Sequence, residues 1–115
     1  MNLVDIFMKL LMVHACVDFV LQPDSMIRGK NRKTKTDSGS STKKSPPVWP
    51  YWMTAHALVH GGGVWLVTGS MALGFLETAL HWAIDFAKGE GRLNFHTDQI
   101  AHLACKALYA ALLLA

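Results

Sequence analysis

Every long apolar stretch of the chain carries two ligand-type side chains four residues apart: His14 with Asp18, His56 with His60, His81 with Asp85, and Asp98 with His102. On an α-helix a four-residue step returns to the same face, with the two side chains about 6 Å apart along the axis. Ionisable groups set among Leu, Val, Ala, Met, Phe and Trp are costly unless they meet partners of their own kind. The pattern therefore predicts helices that turn these pairs toward one another. No stretch alternates with period two, so the expected class is all-α.

Four helices are predicted, at about 3–22, 51–67, 71–87 and 95–115, forming a single domain over 1–115. Thr68, Gly69 and Ser70 make a tight turn between the second and third, and KGEGRLN at 88–94 is a second polar connection. Between the first two helices lies a long polar loop, 23–48, whose Ser, Thr, Gly and Lys content predicts mobility. Seven of the eleven basic residues fall in it (Arg28, Lys30, Arg32, Lys33, Lys35, Lys43, Lys44), so the net charge of +3 is a property of a loop and no nucleic-acid partner is expected.

The polar residues of each helix occupy narrow stripes, and the remaining faces are apolar. A water-soluble amphipathic helix has a broad charged face, so the pattern predicts a polytopic membrane four-helix bundle with the lipid bilayer as its surroundings. The positive-inside rule places loops 23–48 and 88–94 in the cytoplasm, with Trp49, Tyr51, Trp52 and Trp82 near that boundary. The first twenty residues lack a basic leading region and a small-residue cleavage site, and His14 and Asp18 interrupt them, so they are expected to remain in the mature protein. Cys16 and Cys105 form no disulfide or metal-knuckle pattern.

Residue order within the pairs supplies a separate test. The first and third helices run toward the cytoplasm and read His before Asp, whereas the fourth runs away from it and reads Asp before His. Reversal of order compensates for reversal of direction. Asp18, Asp85 and Asp98 are thus expected in one layer near the cytoplasmic surface with His56, and His14, His60, His81 and His102 one turn deeper. Glu77 and Lys106 share the next level and are candidates for a buried ion pair.

Three carboxylates brought together in a dry core need a cation. Mixed imidazole and carboxylate donors suit a divalent transition metal, zinc first and manganese or iron next, in a mononuclear or dinuclear site. The expected ligands are His14, Asp18, His56, His60, His81, Asp85, Asp98 and His102, with Asp18, Asp85 and Asp98 also candidates for catalytic general base. Gln22 and Gln99 either orient ligands or cap helix ends, His96 is expected at a solvated boundary, and Cys105 is expected to be a structural thiol. HGGG at 60–63 is assigned to close helix packing, since no G-x-S-x-G accompanies it.

At HACVDFVLQPDSM, an H-x3-D-F-x-L-Q opening followed by Met26 and Lys30, the chain resembles the family called domain of unknown function 3307. The resemblance continues through His56 and His60, HWAID at 81–85 and DQIAH at 98–102, but not through the basic insertion at 28–45. It implies a small integral membrane protein of bacteria or their phages, and hence the bacterial inner membrane. It implies no activity.

The residues themselves suggest a metal-dependent hydrolase, with a metal-activated water as nucleophile, acting on an anionic lipid or lipid-linked phosphate from the cytoplasmic side. A small ion- or proton-conducting or transport protein, which would need a homo-oligomer, is a reading of another class. A noncatalytic phage membrane protein with a structural metal is a third.

Overall fold

The computed structural model describes residues 2–32 and 48–115. Those residues form five α-helices: α1 (Leu3–Ala15), α2 (Asp24–Gly29), α3 (Trp49–Thr68), α4 (Met71–Gly89) and α5 (Phe95–Leu114). There is no strand among them. The four long helices close a ring in which α1 packs on α3 and α5, and α4 packs on α3 and α5.

Capping residues account for most of the boundaries. Asn2, Ser70 and Asn94 each accept a hydrogen bond from a backbone N–H three residues on, supplying an acceptor that the first helical turn lacks. Gly69 ends α3 at φ 71°, a left-handed conformation that glycine adopts without a Cβ clash, and its N–H bonds to the Trp65 carbonyl at 2.7 Å.

The first helix departs from regularity where the sequence predicts a plain helix to residue 22. Its last turn, Cys16–Val20, is π-helical, closed by Leu21 N–H on the Cys16 carbonyl at 2.9 Å. Pro23 is where the turn stops. It lies five residues after Asp18 and has no N–H to offer the Asp18 carbonyl, so the Gln22 side chain donates to it instead at 2.9 Å.

Part of the predicted loop 23–48 is helical. Asp24–Gly29 forms α2, which packs against α3. A Cβ on Gly29 would stand 2.5 Å from the Trp52 ring, so only glycine permits this approach. Beyond it Arg32 binds Glu90 at the end of α4, with Nη2 2.7 Å from Oε2, and that hydrogen bond raises the guanidinium pKa. Residues 33–47, and with them the expected mobility of the basic insertion, lie outside the described residues.

Glycine also sets the α3–α4 crossing. Gly61 faces Gly74 and Thr78 so closely that an added Cβ would lie 2.5 Å from the Gly74 carbonyl oxygen, while Gly62 has open space around it. HGGG thus serves close packing at Gly61, as expected.

The core is divided along its length. In the half nearer the helix starts of α1 and α4, Ile6, Leu10, Val64, Tyr109 and Ala110 form an apolar cluster. In the other half the buried residues include His14, Asp18, His56, His60, Glu77, His81, Asp85, Asp98, His102 and Lys106. Large apolar side chains face outward instead, among them Leu58, Leu66, Phe75, Ile100 and Leu108. No described helix is long and apolar enough to cross a membrane. The expectation of four membrane-spanning helices is not met on that test, because each long helix also carries the polar side chains it turns inward.

Candidate metal centre

The ring closure of α1, α3, α4 and α5 brings the predicted pairs to one level. Asp18 Oδ1 lies 3.0 Å from His60 Nε2, 3.2 Å from His56 Nε2 and 4.0 Å from His81 Nε2. Asp85 Oδ2 lies 3.4 Å from both His56 Nε2 and His81 Nε2, and Asp85 Oδ1 lies 3.1 Å from His102 Nε2. Asp98 Oδ1 is 3.3 Å from His102 Nε2. Three sets could each hold a cation with one atom per residue: Asp18, His56, His60 and His81; Asp85, Asp98 and His102; and Glu77, His81 and His102.

His14 stands beside these sets and belongs to none. Its Nε2 donates to Gln99 Oε1 at 3.2 Å and is 3.5 Å from Asp18 Oδ2, while its ring is 5.3 Å from those of His60 and His102. Glu77, read from the sequence only as an ion-pair partner, does enter a set. The ion pair is present too, with Lys106 Nζ 2.6 Å from Glu77 Oε1.

The carboxylates are oriented by donors on one side and open on the other. Gln99 Nε2 donates to Asp18 Oδ2 at 3.2 Å and to Asp98 Oδ2 at 3.1 Å, so a single amide joins α1 to α5. Each aspartate is left with its Oδ1 facing the histidines. Asp85 Oδ2 also accepts from Lys30 at 2.6 Å, and Lys88 Nζ approaches Asp98 Oδ2 at 3.5 Å. Glu77 accepts from Lys106, from the Tyr109 hydroxyl at 2.7 Å and from His81 Nδ1 at 3.2 Å.

The Glu77 bond fixes the tautomer of His81. A proton on Nδ1, donated to a carboxylate, leaves a lone pair on Nε2 of the neutral ring. Nε2 of His81 faces carboxylate oxygens of Asp85 and Asp18 at 3.4 and 4.0 Å, so a cation between them would be met by an imidazole and two carboxylates. His81 Nε2, His56 Nε2 and Asp98 Oδ1 are all buried with no hydrogen-bond partner. Buried polar atoms are seldom left so, and here two belong to the first of these sets and one to the second.

Lysines pair with three of the four carboxylates, Lys106 with Glu77, Lys30 with Asp85 and Lys88 with Asp98. Asp18 has no lysine within ion-pair distance among the described residues and faces imidazoles instead. The donor set therefore fits a divalent cation, with His81 held by a carboxylate in the manner of metal-ligating histidines.

A cavity of about 260 Å³ reaches this layer from the end of the bundle that carries α2. Asp18, Asp85, Lys30, Lys88 and Gln22 line its polar side, and Phe19, Ile27, Met53 and Phe95 its apolar side. His96 is at the exposed start of α5, and Cys105 is half-buried, with neither in a ligand set.

Lys30, Gln99 and Tyr109 are the contacts that sequence reasoning assigned no definite role at the site. Lys30 did carry a signal, since it closes the motif that begins at His14.

The family model for a protein of unknown function (DUF3307) matches residues 6–114. The chain belongs to that family. The match runs through all four ligand pairs and through Lys30, Glu77 and Lys106, so the whole DUF3307 region is the bundle that builds this centre. Neither the curated proteins nor the solved structures contain a match to the chain.

Proposed function

We propose that this DUF3307 protein is an integral membrane protein of the bacterial inner membrane that binds a divalent transition metal, zinc first, and hydrolyses an anionic lipid or lipid-linked phosphate at the cytoplasmic face. The observation that carries the metal reading is His81, whose Nδ1 is 3.2 Å from Glu77 Oε1 while its Nε2, without a hydrogen-bond partner, faces Asp85 Oδ2 at 3.4 Å. When bound, such an ion supplies Lewis acidity and lowers the pKa of a coordinated water toward neutrality.

The chain's own residues support the rest. Lys30 and Lys88 at the cavity attract an anionic headgroup, and Phe19, Ile27, Met53 and Phe95 offer an apolar wall for the lipid portion adjoining it. Asp18, Asp85 and Asp98 would hold the cation, and Asp18, which lines the cavity and pairs with no lysine among the described residues, is placed to take a proton from an attacking water. The membrane reading rests on the outward-facing Leu58, Leu66, Phe75, Ile100 and Leu108 around a polar interior. Helices of 20, 19 and 20 residues extend about 30 Å, close to the thickness of a hydrocarbon core.

The experiment is metal analysis of protein extracted from washed membranes, followed by release of phosphate from lipid phosphates in mixed micelles. Stoichiometric metal in the wild type and its loss in a folded Asp18→Asn variant are expected. Metal-free wild type would end the metal reading, release from membranes by salt alone would end the membrane reading, and a metal-loaded protein inert toward all lipid phosphates would end the hydrolase reading.

A further inference from the structure

Resting on that metal reading, we infer that the centre holds two divalent ions bridged by Asp85, rather than one. Seven of the eight paired residues, all but His14, divide into two sets that share no residue, and the third set, Glu77, His81 and His102, overlaps both. His56, His60, His81 and Asp18 form the first, and His102, Asp98 and Asp85 form the second.

Tetrahedral zinc with bonds of about 2.0–2.1 Å keeps its ligand atoms about 3.3 Å apart. Asp18 Oδ1 stands 3.0 and 3.2 Å from His60 and His56 Nε2 in the first set, and His102 Nε2 stands 3.1 and 3.3 Å from Asp85 Oδ1 and Asp98 Oδ1 in the second. These separations are compatible with a single ion's shell in each set, with His81 Nε2 the outlying donor of the first at 4.0 Å from Asp18 Oδ1. One ion could not serve both, because its coordination number would have to accommodate four imidazoles and three carboxylates.

Asp85 connects the sets through different oxygens. Its Oδ1 faces His102, and its Oδ2 faces His56 and His81. A carboxylate placed this way spans two ions, and two-metal sites hold their ions about 3.5–4 Å apart. Lys30 also touches Oδ2, on the side of the cavity, and fixes the plane of the bridging group. Glu77 and Gln99 complete the support, the first behind His81 and the second behind Asp18 and Asp98.

The two positions differ in character. The first offers three imidazole nitrogens and one carboxylate, a donor set that favours zinc. The second offers one imidazole and two carboxylates, a harder set that accepts manganese or iron more readily. With three lysines already paired to the carboxylates, two dications would leave the centre with a surplus of positive charge. Anions entering by the cavity answer that surplus, in keeping with a phosphoryl group as substrate.

The test uses the full chain in detergent, stripped with chelator and reloaded. Metal content after zinc loading should be two ions per wild-type chain and one per Asp98→Asn chain, with unchanged helicity in both. Manganese EPR provides a second measurement that needs no variant: at two equivalents the spectrum should be that of an exchange-coupled pair, lost in Asp85→Asn. One ion in both wild type and Asp98→Asn would overturn the two-ion inference and leave the metal reading intact. Two ions without coupling would overturn the bridging role of Asp85. No ion in either protein would overturn both.

Discussion

Replacement of Lys106 by methionine isolates the deepest polar contact of the bundle. Lys106 and Glu77 are each 1% exposed, and the ammonium lies 2.6 Å from Glu77 Oε1. Without it the carboxylate keeps two neutral donors, Tyr109 at 2.7 Å and His81 at 3.2 Å, but no charge of opposite sign within reach. Breaking a buried ion pair from one side costs about 3–5 kcal/mol, because the other charge stays behind unpaired. Glu77→Gln exposes the same penalty from the other side, leaving the ammonium facing an amide. Removing both charges leaves neither stranded, so the double variant should be less destabilised than the sum of the singles by about 2 kcal/mol or more. Unfolding in detergent, followed by far-UV circular dichroism against SDS mole fraction, measures all four corners of the cycle. Singles costing less than about 1 kcal/mol, or a double variant equal to their sum, would refute the assignment of a buried, mutually dependent pair.

Other substitutions test the remaining contacts. Gly61→Ala should destabilise the bundle by about 1–3 kcal/mol through its clash with α4, whereas Gly62→Ala, with open space around it, should be neutral or stabilising by up to about 1 kcal/mol in the same unfolding assay. Gln99→Ala frees Asp18 and Asp98 from their shared donor, and zinc titration should show affinity reduced about 10–100-fold with helicity intact. Arg32→Ala should change stability by less than about 1 kcal/mol, since its ion pair with Glu90 stands at the surface.

The ligand pairs were legible because a four-residue step in an apolar helix has few other meanings. The reversed order of Asp98 and His102 made their common level legible as well, and the same register set Glu77 beside Lys106. What escaped depends on signals the sequence does not carry along a single helix. α2 spans six residues, too short to develop a periodic pattern, and its charged neighbours made Asp24–Gly29 read as loop. Lys30 was absorbed into that basic run although it turns inward to Asp85. The π turn, which stops where Pro23 lacks an N–H, is a backbone irregularity that side-chain periodicity cannot register. His14 fits the spacing rule yet serves Gln99 rather than a ligand set, because spacing gives the face of a helix and not the partner across it.

The apolar cluster of Ile6, Leu10, Val64, Tyr109 and Ala110 gives the bundle a floor. A molecule that reaches the aspartates through the cavity beside α2 meets no polar continuation beyond Tyr109 among the described residues. Arrival and departure then share one doorway on one side. For the proposed hydrolase, product would leave by the opening that admitted the substrate.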